Sequence, residues 1–153
     1  MKLQKNTHLA LYSVLEFAAR PGQLVPAAEI AQQYGESAHH LAKVLSELAR
    51  AGIVESVRGV GGGYRFVANA RRLTLLDVIQ IFEDIGDGAA DTAGAATPAE
   101  AALRQVLAEI DTTTRATFGS ITIATMLKMA GDVARAARPT DARAEPERRG
   151  RRA

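Results

Sequence analysis

The chain has 153 residues, 47% of them apolar, with 19 basic and 17 acidic side chains, which predicts one compact domain with appendages rather than two full domains. It contains no cysteine, which excludes disulfides, thiol switches, thiolate zinc sites and all-cysteine iron-sulfur clusters. No apolar run approaches the ~20 residues of a membrane span and the start MKLQKNTHLA lacks the apolar core of a secretion signal, so a cytoplasmic protein with no membrane partner is expected.

Apolar spacing predicts the first helix in THLALYSVLEFAARPG, where Leu11, Val14, Leu15 and Ala18 fall at i, i+3, i+4 and i+7 before Pro21-Gly22 ends the run. QLV reads as a short strand. In PAAEIAQQYG, Pro26 suits the first position of a second helix and Gly35 its C-terminal cap. Ser37 suits the N-cap of a third, SAHHLAKVLSELARAG, whose Leu41, Val44, Leu45 and Leu48 line one face until Gly52. Two extended segments follow, IVESV and YRFV, separated by a loop with four glycines in the five positions 59–63.

This order is that of a winged helix-turn-helix. The glycines allow positive φ at the hairpin tip and bring its backbone near a partner surface. A dinucleotide fingerprint would need a helix directly after the loop and a glycine where Tyr64 stands, and no Gly-Lys-Ser/Thr follows to make a Walker loop. At 100° per residue, His39, Lys43, Ser46 and Arg50 lie opposite the leucines of the third helix, flanked by His40 and Glu47. Such a polar, partly cationic face suits the major groove, with Ser37, His39, His40 and Lys43 as the contacting residues. The histidines also read as ordinary exposed residues. A metal site is disfavoured, because adjacent histidines diverge by about 100° on a helix. At the wing, Arg58 is the candidate to enter an A·T-rich minor groove, with Gly61, Gly62, Gly63 and Tyr64 beside it; the alternatives are a solvated surface charge and a merely flexible hairpin.

RRLTLLDVIQIFEDI opens on Thr74 with Asp77 three residues on, a capping-box start. A small, acidic loop spans 86–97. TPAEAALRQVLAEIDTTTRATF then begins with Thr97, Pro98 and Glu100, and carries the stripe Leu103, Val106, Leu107, Ile110, Thr114, Thr117 and Phe118. That stripe is too long for a small wing domain to cover, so it calls either for a symmetric partner helix or for intrachain core. SITIATMLKMA reads as a short helix packed on the dimer unit. The segments read as a DNA-binding domain (1–72), a linker helix, effector-type loop and dimerisation helix (73–134), and a disordered basic tail (135–153). Seven basic and three acidic residues mark that tail, which is either a solvated end or an arm for phosphates.

Together MKLQKNTHLALYSVLEFAA, SAHHLAKVLSELARAGIVESVRG and GGGYRF resemble the Rrf2 family of bacterial regulators, the IscR and NsrR type, over roughly the first 85 residues. The resemblance implies a mostly α fold with a small β wing, a winged helix-turn-helix followed by a long dimerisation helix. It also implies a homodimeric regulator of double-stranded DNA, with Arg58 at the family's wing arginine and His39, His40 and Lys43 at its groove-reading positions; a repressor is expected, with activation left open. Where the cluster-binding members carry three cysteines, this chain offers Asp87, Asp91 and Glu100, hard ligands suited to magnesium or manganese. The expectation is a regulator with no iron-sulfur cluster, no cofactor and no metal. Its signal is open between a small molecule, a partner protein and constitutive action. A protein-protein interaction module is the alternative, but the outward face of the third helix lacks the aromatic or aliphatic anchors that such a role uses. Catalysis is not expected, since no nucleophile and orienting acid accompany His8, His39 and His40.

Overall fold

The structure, a computed structural model, describes residues 2–86 and 92–137. Asp87, Asp91 and the tail from residue 138 onward lie outside the described residues.

Helix α1 (Lys5–Ala18) is the hub, touching four other helices and the wing through Leu9, Ala10, Val14 and Phe17, all buried. Helix α2 (Ala27–Tyr34) stops where Gly35 takes up φ 65°, the left-handed conformation that closes a helix at least cost in glycine. Helix α3 (Ala38–Arg50) is capped by Ser37 as its sequence predicts, and Leu41, Val44, Leu45 and Leu48 are at most 1% exposed. Burying each such side chain contributes about 1.5–3 kcal/mol, more than a surface ion pair returns, so these four residues fix which way the opposite face points.

Strands β1 (Val54–Val57) and β2 (Gly63–Phe66) form an antiparallel pair with Val54 opposite Phe66 and Ser56 opposite Tyr64. The expected QLV strand is reduced to one bridge, Val25 to Tyr64, with hydrogen bonds of 2.8 and 2.9 Å. Pro26 explains this, because it has no N–H with which to extend a ladder. Pro26 is also the N-cap of α2, one residue outside the helix.

Helix α4 (Leu75–Ile79) is shorter than its apolar pattern suggests, ending in turns closed by Ile81 N–H to Val78 O and Phe82 N–H to Ile79 O. Its start is the predicted capping box: the Asp77 N–H donates to Thr74 Oγ1 at 3.2 Å and the Thr74 N–H to Asp77 Oδ2 at 2.8 Å. Helix α5 (Pro98–Ser120) is capped by Thr97, while the Glu100 carboxylate accepts from the Ala96 N–H at 2.8 Å.

Helix α6 (Ile123–Ala136) departs from expectation, for its first turns pack on α1 of the same chain and it runs past the expected tail boundary. Ile123 is fully buried, and Ile123 and Ala124 donate to Leu73 O and Ala70 O at 2.9 and 2.8 Å. Leu75, Val78, Ile79 and Ile123 join the cluster formed by α1, α2, α3 and Val54, so one core runs through residues on both sides of position 72.

Candidate nucleic-acid interface

The start of α3 is held by hydrogen bonds from its own first turn and from α1. Ser37 Oγ accepts from the His40 N–H at 3.1 Å, which leaves His39 and Lys43 one turn apart on the exposed side. His40 is only half exposed: Nδ1 lies 3.0 Å from Glu36 Oε2 and Nε2 2.6 Å from Asn6 Oδ1. Lys5 Nζ, 2.8 Å from Glu36 Oε1, completes the cluster. The Lys5 hydrogen bond and then that of His40 hold the Glu36 carboxyl below its ordinary pKa. Of the four expected groove residues, His39 and Lys43 stand free to reach outward, whereas Ser37 and His40 are also engaged in holding the helix. The pairing of Glu36 with His40 at i, i+4 was legible in the sequence, but Asn6, on another helix, carried no signal.

The wing is braced from its own surface. Arg65 Nε and Nη2 lie 2.9 and 2.8 Å from Glu55 Oε2, directly across the β1–β2 register. Its tip turns where the Gly62 N–H donates to Gly59 O at 3.0 Å, leaving Val60 wholly exposed. Two of the glycines are required by the chain's own packing. A Cβ on Gly62 would sit 2.3 Å from Val57 O, and one on Gly63 2.6 Å from Val25 O, so Gly63 is what lets β2 close on the Val25 bridge. Tyr64 belongs with that bridge; its ring packs against Phe17, with centroids 6.1 Å apart, on the core side. Gly61 lies exposed at the tip beside Val60, and Arg58 is exposed at the root of the turn.

Among the described residues several cations are held by carboxylates, and others, Arg71 and Arg72 among them, are not. Arg20 pairs with Glu29 and Glu16, Arg50 with Glu47 at 2.8 Å, and Arg65 with Glu55. Among the described residues neither Lys43 nor Arg58 has an ion-pair partner, and both are exposed. An ammonium on the outward face of a buried-face helix and a guanidinium at a hairpin root are thus free to meet acceptor oxygens or nitrogens of a ligand.

Helix α5 contrasts with everything before it. Leu103, Val106, Leu107 and Ile110 are 51–59% exposed, and Ala108 is the helix's one buried residue. Thr114 is half-buried, and Phe118 packs on the chain's own core, so the expected stripe divides into a free part and a docked part. Val106, Ile110, Thr113 and Thr114 border an open groove of about 330 Å³. Near the docked end, Arg115 Nη1 donates to Ile85 O and Gly86 O at 3.1 and 2.9 Å, an anchor for the loop that the sequence did not reveal.

Among the described residues no three histidine, cysteine, aspartate or glutamate side chains gather as metal ligands. Glu100, the described member of the three acids in the 86–100 region, accepts from the Ala96 N–H and from Arg104 Nη2 at 2.6 Å. The donors therefore do not fit an iron-sulfur cluster: there is no thiolate, and this carboxylate is already engaged. No helix among the described residues is long and apolar enough to cross a membrane.

The sequence profile of the Rrf2 family, described as an iron-dependent transcriptional regulator, matches residues 3–129. A protein of Rhodopseudomonas palustris named as an HTH-type transcriptional regulator, BadM, is 48% identical over 129 residues, covering 84% of this chain and 83% of its own. Among solved structures, CymR, the global cysteine regulator of B. subtilis, aligns with TM-score 0.72 and 25% identity over 84% of this chain and 98% of its own. The IscR of T. potens aligns with TM-score 0.72 and 26% identity over 87% and 90%.

Proposed function

The chain belongs to the Rrf2 family of transcriptional regulators, and from that premise we propose that it is a cluster-independent repressor that binds a near-palindromic operator as a homodimer. Its winged helix is a DNA-binding one and its relatives are regulators, not enzymes. The observation that carries the proposal is that the outward face of α3 and the root of the wing each present an exposed cation without an ion pair, Lys43 and Arg58, while Arg50 and Arg65 beside them are held by Glu47 and Glu55.

In this reading α3 enters the major groove with His39 and Lys43 toward base edges, while Ser37 and His40 hold its first turn at the correct height. Arg58 enters the flanking minor groove, where A·T-rich sequence deepens the negative potential. Gly61 gives the wing tip a close approach, and Gly62, Gly63 and Tyr64 support it from behind. The exposed stretch of α5, from Leu103 to Ile110, pairs with its counterpart in a second copy and sets the spacing of the two α3 helices. About one turn, ~10 base pairs, is the default for such dimers. The chain works in the cytoplasm and, lacking thiolates, does not use an iron-sulfur cluster to sense its signal.

A protein-binding role for the wing domain is the weaker reading, because the outward face of α3 presents His39, Lys43, Ser46 and Arg50 and no aromatic or aliphatic anchor. The test is selection of fragments from the protein's own genome at moderate salt, with Arg58→Ala in parallel. Enrichment of a palindrome that the variant loses is expected; enrichment no better than random DNA by both would count against the proposal. Lys43→Ala should then cost ~1–3 kcal/mol on the selected site and relax its sequence preference. Equal losses on selected and random duplexes would reassign Lys43 to phosphate.

A further inference from the structure

The groove beside α3 has the chemistry of a ligand site. It is lined by Asn6 of α1, Phe82 after α4, and His40, Lys43, Ser46 and Glu47 of α3, around about 370 Å³, within the usual range for small-molecule sites. Its apolar lining is the half-buried Phe82 ring, with the buried Val44 behind it. Its charges are already sorted. Both Glu47 oxygens accept from Arg50 at 2.8 Å, and His40 is held between Glu36 and Asn6. That leaves the Lys43 ammonium, with no ion pair among the described residues, and the exposed Ser46 as the groups open to an occupant. A cation would find the groove's carboxylate engaged, and a wholly apolar molecule would strip water from Lys43 without replacing it.

We propose that this groove binds a small organic carboxylate, its anionic end on Lys43 and Ser46 and its apolar body against Phe82, and that occupation opposes DNA binding. The second half rests on the DNA reading above. A carboxylate on Lys43 removes the cation that α3 offers and adds negative charge to the face that meets phosphates. The groove would thus give the family's fold a signal input that needs no metal.

The test uses the full chain, ¹⁵N-labelled, titrated with 3-phenylpropionate and with its uncharged counterpart 3-phenylpropan-1-ol, in the absence of DNA. The expected result is saturable movement of the amide resonances of Asn6, Lys43, Ser46 and Phe82 at millimolar acid, with the alcohol about tenfold weaker. Lys43→Met should abolish the preference for the acid, and Phe82→Ala should weaken both compounds. Absence of saturable shifts, shifts centred elsewhere, or equal binding of acid and alcohol would overturn the site. Fluorescence anisotropy on a random-sequence duplex then reads the second half: release of DNA by the acid but not the alcohol supports antagonism, and groove binding with unchanged DNA affinity overturns it. A protein that binds the acid but no duplex at all would refute the DNA reading while leaving the site standing.

Discussion

Helices α3 and α5 carry apolar stripes of the same helical spacing, yet one is hidden and the other bare. Leu41, Val44, Leu45 and Leu48 are enclosed by α1, α2 and β1, whereas Leu103, Val106, Leu107 and Ile110 face solvent in the single chain. A periodic stripe therefore reports that a helix has an apolar face, while only the three-dimensional packing reports whether that face is spent within the chain. On α3 it is spent, and its opposite face is released for a ligand. On α5 it is not: two leucines, a valine and an isoleucine lie exposed along one face, the patch that the proposed pairing with a second copy would cover.

The largest effect that separates the two stripes is on folding. Leu45→Ala should destabilise the protein by about 2–5 kcal/mol, read from urea midpoints, because it opens a cavity in a packed core. Leu107→Ala should leave the unfolding of the dissociated chain close to wild type and make the melting temperature more dependent on protein concentration. Comparable, concentration-independent losses in both would place the α5 stripe in intrachain core and break the contrast.

Charge sharpens the comparison further. If α5 pairs with a second copy as proposed, Ile110→Asp should convert a dimer at micromolar concentration into a monomer by sedimentation velocity, with an unaltered far-ultraviolet circular dichroism spectrum, since a carboxylate would be buried without a partner in the apolar seam. A persistent dimer would move the interface elsewhere.

At the wing, a smaller effect follows from backbone crowding. Gly62→Ala places a methyl group 2.3 Å from Val57 O, so the tip must shift. The strain is ~1–3 kcal/mol, and it should weaken DNA binding measured by anisotropy while leaving Leu45-dependent core stability in place. Unchanged DNA affinity would remove the tip from the interface.

The smallest effect concerns pH. The folded-state pKa of Glu36 is lowered by Lys5 and His40, so its contribution to stability is present above the ordinary carboxylate range and is lost as pH falls through the lowered value. Denaturant midpoints of the wild type should therefore rise with pH across the acid range more steeply than those of Glu36→Gln. Parallel curves would mean that the Lys5–Glu36–His40 cluster does not help to hold α1 against α3.

Features governed by local chemistry were legible in the sequence. Ser37, Thr74 and Thr97 cap their helices as the patterns predict, and Gly35 ends α2, because each arrangement lies within a few residues along the chain. Contacts closed by distant residues were not legible. Asn6 meets His40 across 34 positions and Arg115 holds Ile85 across 30, and no periodicity encodes such encounters. Tyr64 and Gly63 illustrate a subtler limit: the wing motif was read correctly, yet the side chain and the missing Cβ face inward to Phe17 and Val25. The reach of α6 onto α1 escaped for a related reason, since SITIATMLKMA has an apolar face but nothing in it says which surface that face meets.

The account turns on a cluster-free dimer reading DNA through Lys43 and Arg58. The most direct measurement is the affinity and stoichiometry of colourless protein, purified without air, on the selected palindrome and on the same duplex with one half-site scrambled. The account predicts two protomers on the intact duplex and a marked loss of affinity on scrambling. Equal binding to both duplexes, or binding that appears only after iron and sulfide are supplied, would contradict it.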